Sequence, residues 1–300
     1  MVLYRDGTGD LVARNLETGA VFRQAVDFEN EVISQAMCSP DGSRIATLKL
    51  EFSNPNRTLD IRGGKPLEIE VPSSVQDLAW SPDGTRIVTA AWDGIGQVHE
   101  LAVLDVATGE SAPLETGPGY LSAVNWSPDG DRIAYYVQNI STGESDIFVY
   151  DLASNEARQL TGEEDISWFD PTWAPGGESL VIAGQSPEAA QLYRIDAETG
   201  EVTQLTESED IYRRGPEYSP EGAMIAYTGS IIAPAVSATA VALHQFGIFL
   251  IDPDGSNERP FTQDPRENPG ANVDPYLDAF LMGWCVEGPW LDDLWTEESS

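Results

Sequence analysis

Basic charge is what this chain most conspicuously lacks. Its 300 residues carry 16 lysines and arginines against 50 aspartates and glutamates, a formal net charge of −34. Lysine is almost missing, occurring only as Lys49 and Lys65. A surface of that sign repels phosphate backbones and anionic bilayers, so neither nucleic acid nor membrane insertion is expected. Cations and basic proteins fit it better. Acidic, lysine-poor chains suit saline surroundings, where counterions screen self-repulsion, and an acidic extracytoplasmic protein fits the composition equally.

Histidine and cysteine are scarce too. With His99 and His244 alone, a multi-histidine metal centre is excluded. Cys38 and Cys285 cannot make a disulfide framework, though they can form one bridge. No G-x-S-x-G occurs; the nearest string, "GQSPE" at 184–188, lacks the second glycine, and no α/β half is present to carry a triad. Long apolar runs are missing as well. The least charged stretch, "IIAPAVSATAVALHQFGIFLI" at 231–251, has the length of a membrane span. Pro234, Ser237, Thr239, His244 and Gln245 interrupt it, and a span is not expected. The opening "MVLYRDG" reads as a strand and turn, so no secretory leader is expected there.

What is present is one phrase, five times over. "CSPDGSRIA" at 38–46 returns as "WSPDGTRIV" at 80–88, "WSPDGDRIA" at 126–134, "WAPGGESLV" at 173–181 and "YSPEGAMIA" at 218–226. A period in the forties marks a solenoid or a propeller. Between the copies lie short β-rich runs ("ELAVLDV", "DIFVYDL", "QLYRIDA", "GIFLIDP"), each followed by an Asp- and Gly-rich turn. Four short antiparallel strands per unit make a propeller blade, which excludes the helical repeats of similar period.

The phrase itself is a tight turn. Proline presets φ at its second position, aspartate hydrogen-bonds locally, and glycine accepts a positive φ. It is expected to join a blade's first strand to its second as scaffold, with Trp80, Trp126, Trp173 and Tyr218 packing between blades. Asp105, Asp151, Asp196, Asp252 and Asn15 end third strands and are read as turn-formers.

The count comes to six blades in an all-β fold, with seven as the alternative. The sixth is built from 1–25 and about 272–285, N-terminal strands closing with a C-terminal one, which removes exposed edges. Within it, Asp274-Pro275 is matched to Asp170-Pro171, leaving Ala279 in the proline's place. Residues 1–285 form the single propeller domain, and 286–300 are a C-terminal tail.

These repeats, "W-S-P-D-G-x-x-I-A" followed by "I-x-V-x-D-x-x-x-G-x-x-x-x-L-T", resemble the TolB-type propeller repeat within the WD-like group of bacterial repeats. The resemblance covers residues 1–285. It implies a periplasmic or extracellular protein-binding propeller; the family's type member binds a lipoprotein over its central channel, and its extra N-terminal domain has no counterpart here. Related propellers precede the catalytic domain of prolyl-oligopeptidase-like peptidases or form the body of some lyases.

Two groups of residues are candidates for function. Asp77 and Asp170 stand five before the turn proline, Asp274 is set at the same place, and Glu217 stands three before. First strands line a propeller's channel, and alternation separates Asp77 and Asn125 from Leu78, Trp80, Val124 and Trp126. Converging carboxylates suit a hard cation, and Ca²⁺ is the one cofactor considered. The bland reading is that each aspartate bonds backbone at the strand entry. The second group, Tyr120, Trp168, Phe169, Tyr212, Arg213 and Arg214, lies on loops at the channel rim, where aromatics and arginine suit a protein partner. The apolar insertion 230–246 is expected on the same rim. The expectation is a non-enzymatic interaction scaffold; the alternative is an accessory propeller of a peptidase or carbohydrate-active enzyme.

Overall fold

The computed structural model describes residues 1–5, 11–14, 21–24, 31–51, 57–63, 67–71, 75–92, 99–116, 119–162, 166–186, 189–209, 211–232, 244–261, 280–284 and 296–297. Six antiparallel sheets follow one another along the chain. The first complete sheet comprises β4 (Glu31–Cys38), β5 (Ile45–Glu51), β6 (Arg57–Arg62) and β7 (Leu67–Val71). The second holds β8 (Val75–Trp80), β9 (Arg86–Trp92), β10 (His99–Asp105) and β11 (Ser111–Leu114). The third holds β12 (Tyr120–Trp126), β13 (Arg132–Gln138), β14 (Ser145–Asp151) and β15 (Glu156–Gln159). In the fourth are β16 (Ser167–Trp173), β17 (Ser179–Gln185), β18 (Ala190–Asp196) and β19 (Val202–Gln204). The fifth is β20 (Tyr212–Tyr218), β21 (Ile225–Ile232), β22 (His244–Ile251) and β23 (Arg259–Pro260). This is a six-bladed propeller.

The remaining sheet draws on both ends of the chain, in the order β24 (Phe280–Trp284), β1 (Val2–Arg5), β2 (Leu11–Arg14), β3 (Val21–Gln24) and β25 (Thr296–Glu297). Trp284 pairs with Val2 as Trp80 pairs with Ile87, so Trp284 takes the repeat tryptophan's place. The alignment through Asp274 and Ala279 is thereby corrected. Counted back from the tryptophan, Leu281 holds the position of Asp77 and Asp170, while Asp274 lies outside the described residues. Two residues of the tail add a fifth strand, with Thr296 opposite Arg23.

The bends are built as their letters dictate. In the first, the Ser39 hydroxyl donates to Asp41 (2.6 Å) and accepts from the Arg44 amide (2.9 Å). The Gly42 amide returns to the Ser39 carbonyl at φ +65°. Ser39, Ser81, Ser127 and Ser219 are all buried, so these local bonds replace lost water. The serine hydroxyl, then its other turn partners, hold Asp41 and Asp83 down at about 2. Asp105, Asp151 and Asp196 each accept two following backbone amides, as turn-formers should. Asn15 lies outside the described residues.

Blades are joined by a directional contact the repeat spells out. Trp80, Trp126, Trp173 and Tyr218 are buried between sheets. The arginine of one phrase lies over the indole of the next: Arg44 on Trp80 (4.9 Å), Arg86 on Trp126 (4.9 Å), Arg132 on Trp173 (4.6 Å). Arg44 and Arg132 also donate to the carbonyls of Gly84 and Gly177 in the next bend. In the fourth and fifth phrases Ser179 and Met224 take the arginine's place. Cys38, which takes the tryptophan's place in the first, is disulfide-bonded. The other cysteine of the chain, Cys285, lies outside the described residues.

The stretch 231–251 is not one continuous element. Its described ends are antiparallel, with Ile232 opposite His244, so residues 230–232 and 244–246 lengthen the β21–β22 hairpin. No helix among the described residues is long and apolar enough to cross a membrane.

Candidate functional site

The innermost strands β4, β8, β12, β16 and β20 surround the channel, and each carries one irregularity. Register slips between Val75 and Asp77, Ser122 and Asn125, Phe169 and Thr172, and Arg214 and Glu217. These are β-bulges, which admit an extra residue and re-aim its neighbours. At the bulge Ala123, Asp170 and Gly215 share a left-handed backbone, φ +51°, +51° and +54°.

The bulges point polar side chains at the next blade. Asp77 accepts from the Gln35 amide group (2.6 Å), the Leu78 N–H (2.9 Å) and the Val124 N–H (3.0 Å). Asp170 accepts from the Gly215 N–H at 3.0 Å. Asn125 accepts from the Trp173 N–H at 3.2 Å. Position by position, one inner strand is tied to the following one across the channel wall.

Asp77, Asp170 and Glu217 converge on a waist of about 190 Å³. Each is half-buried, and a narrow space walled by protein solvates a charge far less than bulk water does. That desolvation, only partly offset by the Val124, Leu78 and Gln35 bonds, pushes Asp77 up to about 6. Glu217 is driven further, to about 8, by desolvation against a Thr172 hydrogen bond, with Asp77 and Asp170 adding repulsion. Glu217 therefore keeps its proton at neutral pH, while Asp77 loses its own as pH rises through about 6.

Of the four carboxylates considered for calcium, Asp77, Asp170 and Glu217 line the waist, and Asp274 lies outside the described residues. Among the described residues no three ligand-type side chains are grouped to hold a metal ion. Both Asp77 oxygens and one Asp170 oxygen accept backbone or amide N–H donors. The bland reading, aspartate bonding backbone at the strand entry, describes these two residues.

Below the waist, toward the bends, the channel widens to about 380 Å³. Pro40, Pro82, Pro128, Pro175 and Pro220 ring this mouth. Behind them stand Trp80, Trp126, Trp173 and Tyr218, while Asn125, Thr172 and Glu217 line both this chamber and the waist. The scaffold phrase therefore also shapes a cavity, which its turn chemistry alone did not indicate.

At the opposite rim the six predicted residues divide. Trp168 is 1% exposed in the core, edge-on to Tyr193 at 5.1 Å. Arg213 is 0% exposed and pairs with Glu258 (2.9 Å), Gln191 and the Ser208 and Ile211 carbonyls. Both are structural, because strand alternation turns them inward between blades. Tyr120, Phe169, Tyr212 and Arg214 are half-buried and belong to the rim. Tyr120 meets Tyr136 edge-on (6.2 Å), Tyr136 stacks on Phe169 (5.5 Å), and Arg214 lies 3.9 Å above Phe169, braced by Gln185. This stack crosses three blades. Tyr136, a second-strand residue, was missed because its signal in "RIAYY" is that of a core strand. Tyr212 and the hairpin end at Ile232 and His244 share the rim; residues 233–243 lie outside the described residues.

Several solved structures share this architecture. A putative TolB from Agrobacterium tumefaciens is 20% identical, with a TM-score of 0.62 over 83% of this chain and 88% of that one. An oligogalacturonate lyase from Vibrio parahaemolyticus is 12% identical, TM-score 0.56, over 88% and 74%. Prolyl oligopeptidase B from Galerina marginata is 12% identical, TM-score 0.56; 88% of this chain is covered but only 44% of that one. At these identities the likeness is one of fold. No curated protein sequence matches the chain. The model of the TolB beta propeller domain matches residues 75–260, more than half of the chain, and on that match the protein belongs to the TolB β-propeller domain family.

Proposed function

We propose that this propeller is a non-enzymatic scaffold that binds a protein partner across the channel rim, in the cell envelope or outside the cell. The observation that carries the reading is the Tyr120–Tyr136–Phe169–Arg214 stack. Aromatic and arginine side chains held in place by their neighbours lose little entropy on binding, which is how interface anchors work. Asp77 and Asp170 serve as acceptors in bonds between blades. A disulfide at Cys38 fits an oxidising compartment.

The test is to place a photoreactive group at Tyr212, identify the protein it captures from envelope extract, and measure that protein's affinity directly. Arg214→Ala should weaken it tenfold or more with little change in melting temperature, and Phe169→Ala should weaken it similarly while lowering the melting temperature through lost packing. Affinities equal to wild type would remove the rim from the interface.

The Galerina marginata likeness favours a second reading, an accessory propeller that gates substrate for a peptidase or carbohydrate-active catalytic part. A genomic reading frame continuing into a hydrolase would carry it.

A further inference from the structure

The mouth on the bend side is left unused by the rim reading, and its chemistry is specific. It is a chamber of about 380 Å³, within the ~300–1,000 Å³ typical of ligand pockets. Its collar is apolar, made of the five bend prolines with aromatic rings behind them. Its floor carries one carboxyl group among the described residues lining it, Glu217, flanked by the polar ends of Asn125 and Thr172.

We propose that this mouth is a second binding site, which takes a cationic side chain on an aliphatic stem, an arginine or lysine offered by a basic partner protein.

The fit is one of shape and charge together. An extended alkyl stem lies against proline and indole surface, which favours burial of CH₂ groups. The cationic head then reaches Glu217, with Asp77 and Asp170 just beyond in the waist. A cation arriving there relieves the crowding of three carboxyls, and Glu217 gives up its proton to form the ion pair. The net charge of −34 draws such a partner in and repels acidic ones. A neutral or anionic ligand of the same shape gains none of this. The inference stands apart from the rim reading, since the two mouths lie at opposite ends of the channel.

N-acetyl-arginine amide is a suitable probe, with N-acetyl-citrulline amide as its uncharged isostere. Binding is followed by calorimetry and by the indole N–H resonances of Trp80, Trp126 and Trp173. The arginine compound should bind and shift those resonances, the citrulline compound at least tenfold more weakly. Glu217→Gln should weaken the arginine compound tenfold or more while melting no lower than wild type. Equal binding of the two compounds, full affinity in Glu217→Gln, or no binding by wild type at tens of millimolar would each overturn the proposal. Phe169→Ala should leave this titration unchanged, so loss of the rim partner and loss of this site are told apart.

Discussion

Single residues in this fold work against one another with pH. Asp41 and Asp83 have folded-state values below the unfolded one, so their stabilisation is full above about pH 4. It is lost as pH falls toward about 2. Asp77 and Glu217 run the other way. Their folded values, about 6 and about 8, exceed the unfolded ones, so the stability they contribute is full below about pH 4 and disappears as pH rises through 6 and 8. Melting temperature at fixed salt should therefore peak on the acid side of neutrality. Glu217→Gln should flatten the alkaline limb and raise the melting point at pH 8; an unchanged limb would show that Glu217 is ionised without penalty. Backbone strain gives a second test. Gly84 sits at φ +65° and Ala123 at +51°. Gly84→Ala should cost about 1–2 kcal/mol in denaturant melts, whereas Ala123→Gly should gain up to about 1 kcal/mol.

At the scale of strands and bends, the repeat made most of the architecture legible. Proline, aspartate and glycine spell the bend, and the aromatic before them is where packing demands it. The bulges were not legible, because Ala123, Asp170 and Gly215 share a conformation without sharing a chemistry. Nor was the inward turn of Trp168 and Arg213, which sit at strand starts that read as loop. The sixth inner strand was misplaced by an Asp-Pro match that pairing with β1 overrules. Local letters cannot weigh a partner strand from the other end of the chain. The arginine–indole contacts are measurable as couplings. A double-mutant cycle of Arg132→Met and Trp173→Phe should return about 0.5–1 kcal/mol beyond additivity. A cycle that closes at zero would make the contact incidental.

For the whole molecule two long-range terms dominate. The charge of −34 is unscreened at low ionic strength, so the melting temperature should climb as sodium chloride is added and then level off. Indifference to salt would mean that the carboxylates are locally compensated. Cys38, at the end of the first complete blade's inner strand, is held in a disulfide. Reduction should cost about 2–4 kcal/mol, read as a lower denaturation midpoint under reducing conditions. The residues that give each blade its grip also make it modular. The two "WSPDGxR" units each bring a plug, the arginine Arg86 or Arg132, and a socket, the Trp80 or Trp126 ahead of the unit's own bend, both facing the same way around. A copy inserted in tandem would arrive already mated on both sides, so the ring can gain a member without inventing a new joint.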